Sequence, residues 1–321
     1  MFMSYMLYIF SLNLTFQNLT SIKDRYTSQY SSHLTPYTIT QKLLNQRANK
    51  MERAMAIQLF AYSFFIVIVL LFPPAMCAEF NYDLSSPNGP LNWGNNPQWQ
   101  LCKNGKNQSP INLQKLSADV EFISGIQRNY QPANATLISS EHDIMVNWTE
   151  NAGHITINGT QYQLAQGHWH SPSEHRINGI RYDLELHMVH ISSAGRLAVT
   201  GVLYKFGRPD DEFISKIEDD LQLMAENQTR TRALGIVDPE DVAGITGQKY
   251  FRYNGSLTVP PCSEDVLWTV FIKEGRTASR EQIKLLRAAV NGAGDETFEN
   301  ARPIQPRNGR PVKLYKDREG N

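Results

Sequence analysis

Two short segments, Gln166-Gly-His168-Trp-His170 and, fifteen residues after His170, Glu185-Leu-His187, constrain this chain more than any other feature. Side chains two apart on a strand point to the same face. His168 and His170 then present two imidazoles side by side, with Trp169 on the opposite face. If a strand over Glu185–Val189 pairs beside the first, His187 completes a triangle. Three neutral imidazole nitrogens at about 2.0–2.1 Å leave a fourth tetrahedral position open on a zinc ion, which is the pattern of catalytic rather than structural zinc. An isolated His-x-His is more often two unrelated surface histidines. The polar neighbours on the same face favour the metal: Gln166 precedes His168, and Glu185 precedes His187, by two residues. Each is placed to hold the second ring nitrogen of a ligating histidine. His190 falls on the other face and reads as a packed core histidine. His175 is ambiguous.

The surrounding sequence supports strands. Alternation or β-branched enrichment predicts them over 143–148, 154–157, 162–170, 182–191, 197–206 and 265–272. Asn158-Gly159 lies between two of these and signals a tight hairpin. Helices are fewer. Arg280–Val290 has Ser279 as N-cap, Gln282 three residues on and Gly292 near its end. A second helix is expected over Phe213–Met224. The predicted fold is mainly β: one domain, 78–321, with a large, mostly antiparallel central sheet and short peripheral helices.

The segment before it is different. Ile57–Phe72 is apolar, follows Met51-Glu-Arg53 and precedes Pro73-Pro-Ala-Met-Cys77-Ala78. It is shorter than the ~20 residues of a spanning helix, so 51–77 reads as a signal peptide rather than a membrane anchor. Residues 1–50 remain an unexplained N-terminal extension; translation starting at Met51 would make them an artefact of the gene start. The whole chain has 31 basic and 31 acidic residues; the first 78 hold six and two of them, leaving 25 and 29. That mildly acidic balance argues against a nucleic-acid partner. Cleavage after Cys77 or Ala78 leaves an even pair, Cys102 and Cys262. A bond between them would close a loop of about 160 residues, worth on the order of 4–5 kcal/mol. Five Asn-x-Ser/Thr triplets, at Asn134, Asn147, Asn158, Asn227 and Asn254, agree with glycosylation in a secretory compartment.

A further run, Gly255-Ser-Leu257-Thr258-Val259-Pro-Pro-Cys262, is by itself an ordinary Pro-rich turn. Together with the histidine segments, Gly89-Pro-Leu-Asn-Trp-Gly94, Gln108-Ser-Pro-Ile-Asn-Leu113 and Asn300-Ala-Arg302-Pro-Ile-Gln-Pro306, it resembles the α-carbonic anhydrases, plant-type members in particular. The resemblance covers nearly all of 80–315. It implies zinc-dependent, reversible hydration of carbon dioxide to bicarbonate and a proton, by attack of zinc-bound hydroxide. It implies one zinc per chain on His168, His170 and His187, with Thr258 orienting the hydroxide and Glu174 accepting the threonine's proton. Leu257, Val189, Val199, Val266 and Trp268 match the apolar wall that holds carbon dioxide, and Val259 lines the same pocket. His142 matches the proton shuttle and Tyr82 the tyrosine of the solvent network. Cys102 and Cys262 match the disulfide of secreted members. The compartment implied is extracellular, with the chloroplast stroma as the alternative reached by some plant relatives.

Two departures stand out. Val259 replaces a second threonine found in many animal relatives, and Met145 occupies a wall position that is often polar in them. Both make the pocket more apolar. The rival fold is a cupin, because His168-x-His170-x3-Glu174 spells part of its metal motif, with Glu174 as a ligand; the motif's flanking glycines are replaced by Tyr162 and Arg181. The rival function is a storage or binding protein on the carbonic anhydrase fold that has lost catalysis.

Overall fold

Burial with a period of two runs through much of the chain. Ala133–Ser139 and Ile144–Trp148 bury every second residue, so each offers one face to a core and one outward. The structure, a computed structural model, describes residues 79–122, 126–245, 249–272, 276–290 and 294–316. The extension 1–50, the apolar segment 51–77 and Gly292 lie outside the described residues.

The strands in chain order are β1 (Asn112–Leu113), β2 (Asp119–Phe122), β3 (Gln127–Tyr130), β4 (Ala133–Ser139), β5 (Ile144–Trp148) and β6 (Gly153–Ile157). Then come β7 (Thr160–His170), β8 (Arg176–Ile177), β9 (Ile180–Arg181), β10 (Leu184–Ser192) and β11 (Leu197–Phe206). The last are β12 (Thr231–Val237), β13 (Tyr250–Ser256), β14 (Glu264–Phe271), β15 (Thr277–Ala278) and β16 (Lys313–Lys316). The main path of the large sheet runs β12-β4-β5-β7-β10-β11-β14-β13-β16-β2, with β6 beside β7, β3 beside β6 and β15 beside β11. The sheet is mixed: most ladders are antiparallel, but β11–β14, β11–β15 and β16–β2 run parallel. Strands β1, β8 and β9 form a small second sheet. One continuous large sheet, rather than the double-sheet jelly roll of a cupin, removes the rival fold. Between β6 and β7, Asn158 and Gly159 take φ of 49° and 74°, the left-handed pair that a two-residue hairpin demands.

The sheet separates two cores. One face carries Leu137, Val146, Trp169, Leu186, Met188 and Val202, covered by helix side chains such as Ile214, Leu221 and Leu286. The other carries Val199, Leu203, Phe251, Val266, Trp268 and Val270. The helices are α1 (Leu101–Asn104), α2 (Glu212–Lys216), α3 (Glu218–Ala225), α4 (Pro239–Ala243) and α5 (Arg280–Ala289). A full capping box at Ser279 and Gln282 starts α5. The helix expected over Phe213–Met224 is instead α2 and α3, divided at Ile217. Charged groups mark the start of each piece. Asp211 caps the N–H groups of Phe213 and Ile214, and Glu218, Asp219 and Asp220 occupy the positive end of α3.

A third cluster fastens the N-terminal segment. Trp93, Trp99 and Cys262 are buried together, with Phe80, Tyr82 and Cys102 against them. Cys102 and Cys262 form a disulfide across 160 residues. The buried Arg302 guanidinium lies over the Trp93 ring and donates to the Cys102 and Ser109 carbonyls and to Gln108 Oε1. Reducing the disulfide is expected to lower stability by about 5 kcal/mol on the chain-entropy account, read as a shift of the urea midpoint with and without reductant. Denatured, unreduced protein should leave Cys102 and Cys262 unlabelled by a thiol reagent; labelling of either contradicts the bond.

Candidate metal centre

The register of β7 against β10 sets His187 directly opposite His168, and Glu185 opposite His170. On the far side of β10, His187 faces Gly201 of β11. A Cβ on Gly201 would stand 3.0 Å from Glu185 Oε1, so glycine there leaves room for a carboxylate beside the ring. Ring nitrogens of His168, His170 and His187 lie within 4.8 Å of one another.

Each imidazole has one nitrogen engaged. His168 Nδ1 donates to Gln166 Oε1 at 2.8 Å, His170 Nδ1 to the Asn300 carbonyl at 2.6 Å, and His187 Nε2 to Glu185 Oε1 at 2.9 Å. Those acceptors set the tautomers. The lone pairs are left on Nε2 of His168 and His170 and on Nδ1 of His187. His170 Nε2 is buried with no hydrogen-bond partner, a state that costs about 1–3 kcal/mol unless something accepts its lone pair. A divalent cation does so for all three at once, and an all-imidazole donor set suits zinc. Burial pushes His187 down to about 4, despite the pull of Glu185, and pushes His168 well below its ordinary value with help from His170. Both rings are therefore neutral at pH 7, the form that binds metal.

Burial alone would raise Glu185, but the His175 and His187 imidazoles beside it more than reverse this and hold the carboxyl well below its usual range. Its Oε2 accepts the N–H groups of Glu174 and His175, and its Oε1 accepts His175 Nδ1 at 2.7 Å. His175 Nε2 then accepts the Tyr253 hydroxyl at 2.7 Å, which meets Ser109 Oγ at 2.7 Å. A second grouping of His175, Glu185 and His187 is close enough to hold a cation. Its atoms already bond to one another, so it is a structural relay. His190 is a core residue: Tyr130 and the Ala198 carbonyl hold its two nitrogens, and burial pushes it down to about 4.

The other expected site residues are distributed as follows. Val199, Val266 and Trp268 are buried in one cluster, with Val189 and Leu257 packed on it; Val259 is half-buried outside that cluster. Met145 stands opposite His168. Thr258 and Glu174 are both buried. Glu174 Oε1 accepts the Arg302 N–H at 2.9 Å. Its Oε2 lies 3.7 Å from His170 Nε2 and 4.0 Å from His187 Nδ1 with no hydrogen-bond partner, Thr258 included. His142 is half-buried in a turn held by Ser140, its ring stacked on Phe80 at 3.8 Å. Burial lowers its pKa, and Asp143 and Glu141 offset part of the effect. Tyr82 packs edge-on to Phe80, Trp93 and His142, and burial, with Glu174, keeps its hydroxyl protonated. Asn300 opens one of the runs that carry the resemblance, but the sequence assigns it no role in the site. Its carbonyl holds His170, and its side chain reaches the His142 and Trp169 carbonyls and the Ser171 N–H. A backbone acceptor leaves no signature in residue type.

His187→Ala is expected to abolish tight metal binding, and Gln166→Ala to weaken it by roughly 10- to 100-fold. Metal analysis of purified protein and competition with a chromogenic chelator measure both; full occupancy in His187→Ala would reject the ligand set.

The sequence matches the family described as eukaryotic-type carbonic anhydrase over residues 88–316. It is 47% identical to alpha carbonic anhydrase 7 of Arabidopsis thaliana over 240 residues, 74% of this chain and 85% of that protein. It is 44% identical to dioscorin DB3L of Dioscorea polystachya over 245 residues, 76% of this chain and 88% of that protein. Among solved structures, a dioscorin complexed with ascorbate superposes with a TM-score of 0.71 at 40% identity, covering 75% of this chain and all of that one.

Proposed function

The chain belongs to the eukaryotic-type carbonic anhydrase family, and we propose that it is an active member that hydrates carbon dioxide reversibly with one zinc per chain. The observation that carries this reading is the convergence of three imidazole nitrogens whose opposite nitrogens are all held by acceptors. Zinc bound there supplies a nucleophile at neutral pH by lowering the pKa of water to about 7, a value for which carbonic anhydrase is itself the reference case.

The protein's own groups then have three tasks. The cluster of Val199, Val266 and Trp268, with Val189 and Leu257 on it, offers an uncharged, linear substrate a place to sit, and Val259 extends that apolar lining. It offers a charged bicarbonate nothing, which favours release. Thr258 presents a hydroxyl that accepts a hydrogen bond from the attacking oxygen and fixes its direction, an orientation effect. Glu174, with Oε1 occupied by Arg302 and Oε2 unpartnered, has the acceptor that this hydroxyl's own proton requires. His142 carries the product proton outward. Its half-buried position beside Tyr82 suits the exit path, and its lowered pKa makes it a weaker acceptor than a free imidazole.

The signal-peptide reading of 51–77 and export of the domain 78–321 belong to the same proposal. The disulfide is the bond an oxidising compartment permits. Asn158, Asn227 and Asn254 are exposed, whereas Asn134 and Asn147 are half-buried, which makes the first three the expected glycan carriers in an extracellular protein. Among the described residues no helix is long and apolar enough to cross a membrane.

A non-catalytic member is the second reading, favoured by the absent Thr258–Glu174 hydrogen bond and by the likeness to a protein solved with ascorbate. Full zinc occupancy without carbon dioxide hydration in stopped flow would establish it. On the catalytic reading, Thr258→Ala retains zinc and loses hydration rate by roughly 100-fold; an unchanged rate rejects the orienting role. His142→Ala should lose rate in dilute buffer and recover part of it in concentrated imidazole. Equal rates of variant and parent at low buffer reject the shuttle.

A further inference from the structure

The small sheet β1-β8-β9 lays three polar residues in a row. Asn112 of β1 is opposite Arg176 of β8, and Arg176 is opposite Arg181 of β9. Residues directly opposite across strands project to the same side. All three line one cavity of about 430 Å³, within the size range of small-molecule sites. None of the three candidate metal ligands lines it. The opposite wall is apolar, with Leu84, Ala301, Pro303 and Ile304. Tyr82, Gly179 and Glu299 complete the lining.

Like charges placed directly opposite on neighbouring strands destabilise a sheet. Here the two guanidiniums are only partly compensated: Glu299, Glu174 and Glu185 act on Arg181 from nearby, but no carboxylate among the described residues makes an ion pair with either one. Arg176 Nε is buried with no hydrogen-bond partner. Arg181 uses its Nε on the Ser173 carbonyl at 2.9 Å, and partial burial, then Arg176 beside it, lowers its pKa. Glu299, the carboxylate on the lining, turns to Arg287 at 4.0 Å. Asn112 Oδ1 accepts the Gly179 N–H at 2.8 Å, which leaves its side-chain NH2 free to donate. Every polar group on the β1-β8-β9 side is thus a donor, and two carry charge.

We propose that this cavity binds a small organic dianion of the dicarboxylate class, held by Arg176, Arg181 and Asn112 with its carbon skeleton against Leu84, Pro303 and Ile304. Guanidinium forks match carboxylates, two forks call for two negative charges, and the apolar wall favours a carbon chain over an inorganic ion.

Titration calorimetry of the zinc-loaded full chain with succinate, at fixed ionic strength, tests this. One saturable site per chain is expected. Each of Arg176→Gln and Arg181→Gln should weaken it by roughly 10- to 100-fold, the loss of a charge-assisted hydrogen bond. Ala301→Trp approaches from the opposite wall, leaves both arginines in place and should also abolish binding by filling the space. That variant decides the matter if an arginine variant does not fold. Succinate affinity unchanged in Ala301→Trp and in the arginine variants assigns the heat to the zinc site or to loose surface binding and overturns the proposal. So does absence of saturable heat in the parent. Inorganic phosphate binding with the same arginine dependence while succinate does not bind overturns the organic class.

Discussion

Glu185 has no exposure and carries a charge, so its lone pairs must be met inside the protein. They are met by four donors: the N–H groups of Glu174 and His175 and the imidazoles of His175 and His187. Those contacts bind the strand that carries His187 to the turn that carries Glu174. Through His175, Tyr253 and Ser109 they also reach β13 and the N-terminal segment. Removing one partner of such a buried cluster typically costs about 3–5 kcal/mol. The geometry at His187 is therefore maintained by much of the molecule rather than by its own strand.

The groups of the candidate site come from elements remote in sequence, and specific fasteners bring them into one place. Thr258 sits four residues before Cys262, whose disulfide to Cys102 anchors that turn, and the turn closes on itself through Cys262 N–H to the Val259 carbonyl. Arg302 extends the same anchoring. It ties the N-terminal segment to the stretch after Glu299 and gives its own N–H to Glu174.

The stretch 300–303 serves two neighbourhoods by alternation. Asn300 and Arg302 are buried toward the metal centre and its supports, while Ala301 and Pro303 line the arginine cavity. On the other side, Arg181 bonds to Ser173, next to Glu174. The cavity and the candidate metal centre therefore share a wall of backbone, although none of the three candidate ligand histidines borders the cavity.

The sequence by itself determined what period and spacing can carry. The individual strands that hold the three histidines, the Asn158-Gly159 hairpin and the capping box of α5 are local patterns, and the acceptors Gln166 and Glu185 lie two residues from their histidines, on the same strand face. The resemblance to α-carbonic anhydrases supplied the rest of the site list. Tertiary structure alone decided what depends on register and on remote backbone. The alignment of His187 with His168 follows from which residues pair, and a shift of one would send the imidazole to the other face. The Asn300 carbonyl acts through a group every residue possesses, so its selection by His170 leaves no trace in composition. The ambiguity of His175 was resolved only by the arrival of Tyr253 from β13. The apolar period over 213–224 did not reveal the division into α2 and α3 at Ile217, where a run of three acidic residues, Glu218, Asp219 and Asp220, opens the second helix. The row of Asn112, Arg176 and Arg181 spans residues 112 to 181 and exists only because β1 pairs with β8. A pattern within one strand can be read along the chain, whereas a pattern across strands exists only once the strands have chosen their neighbours.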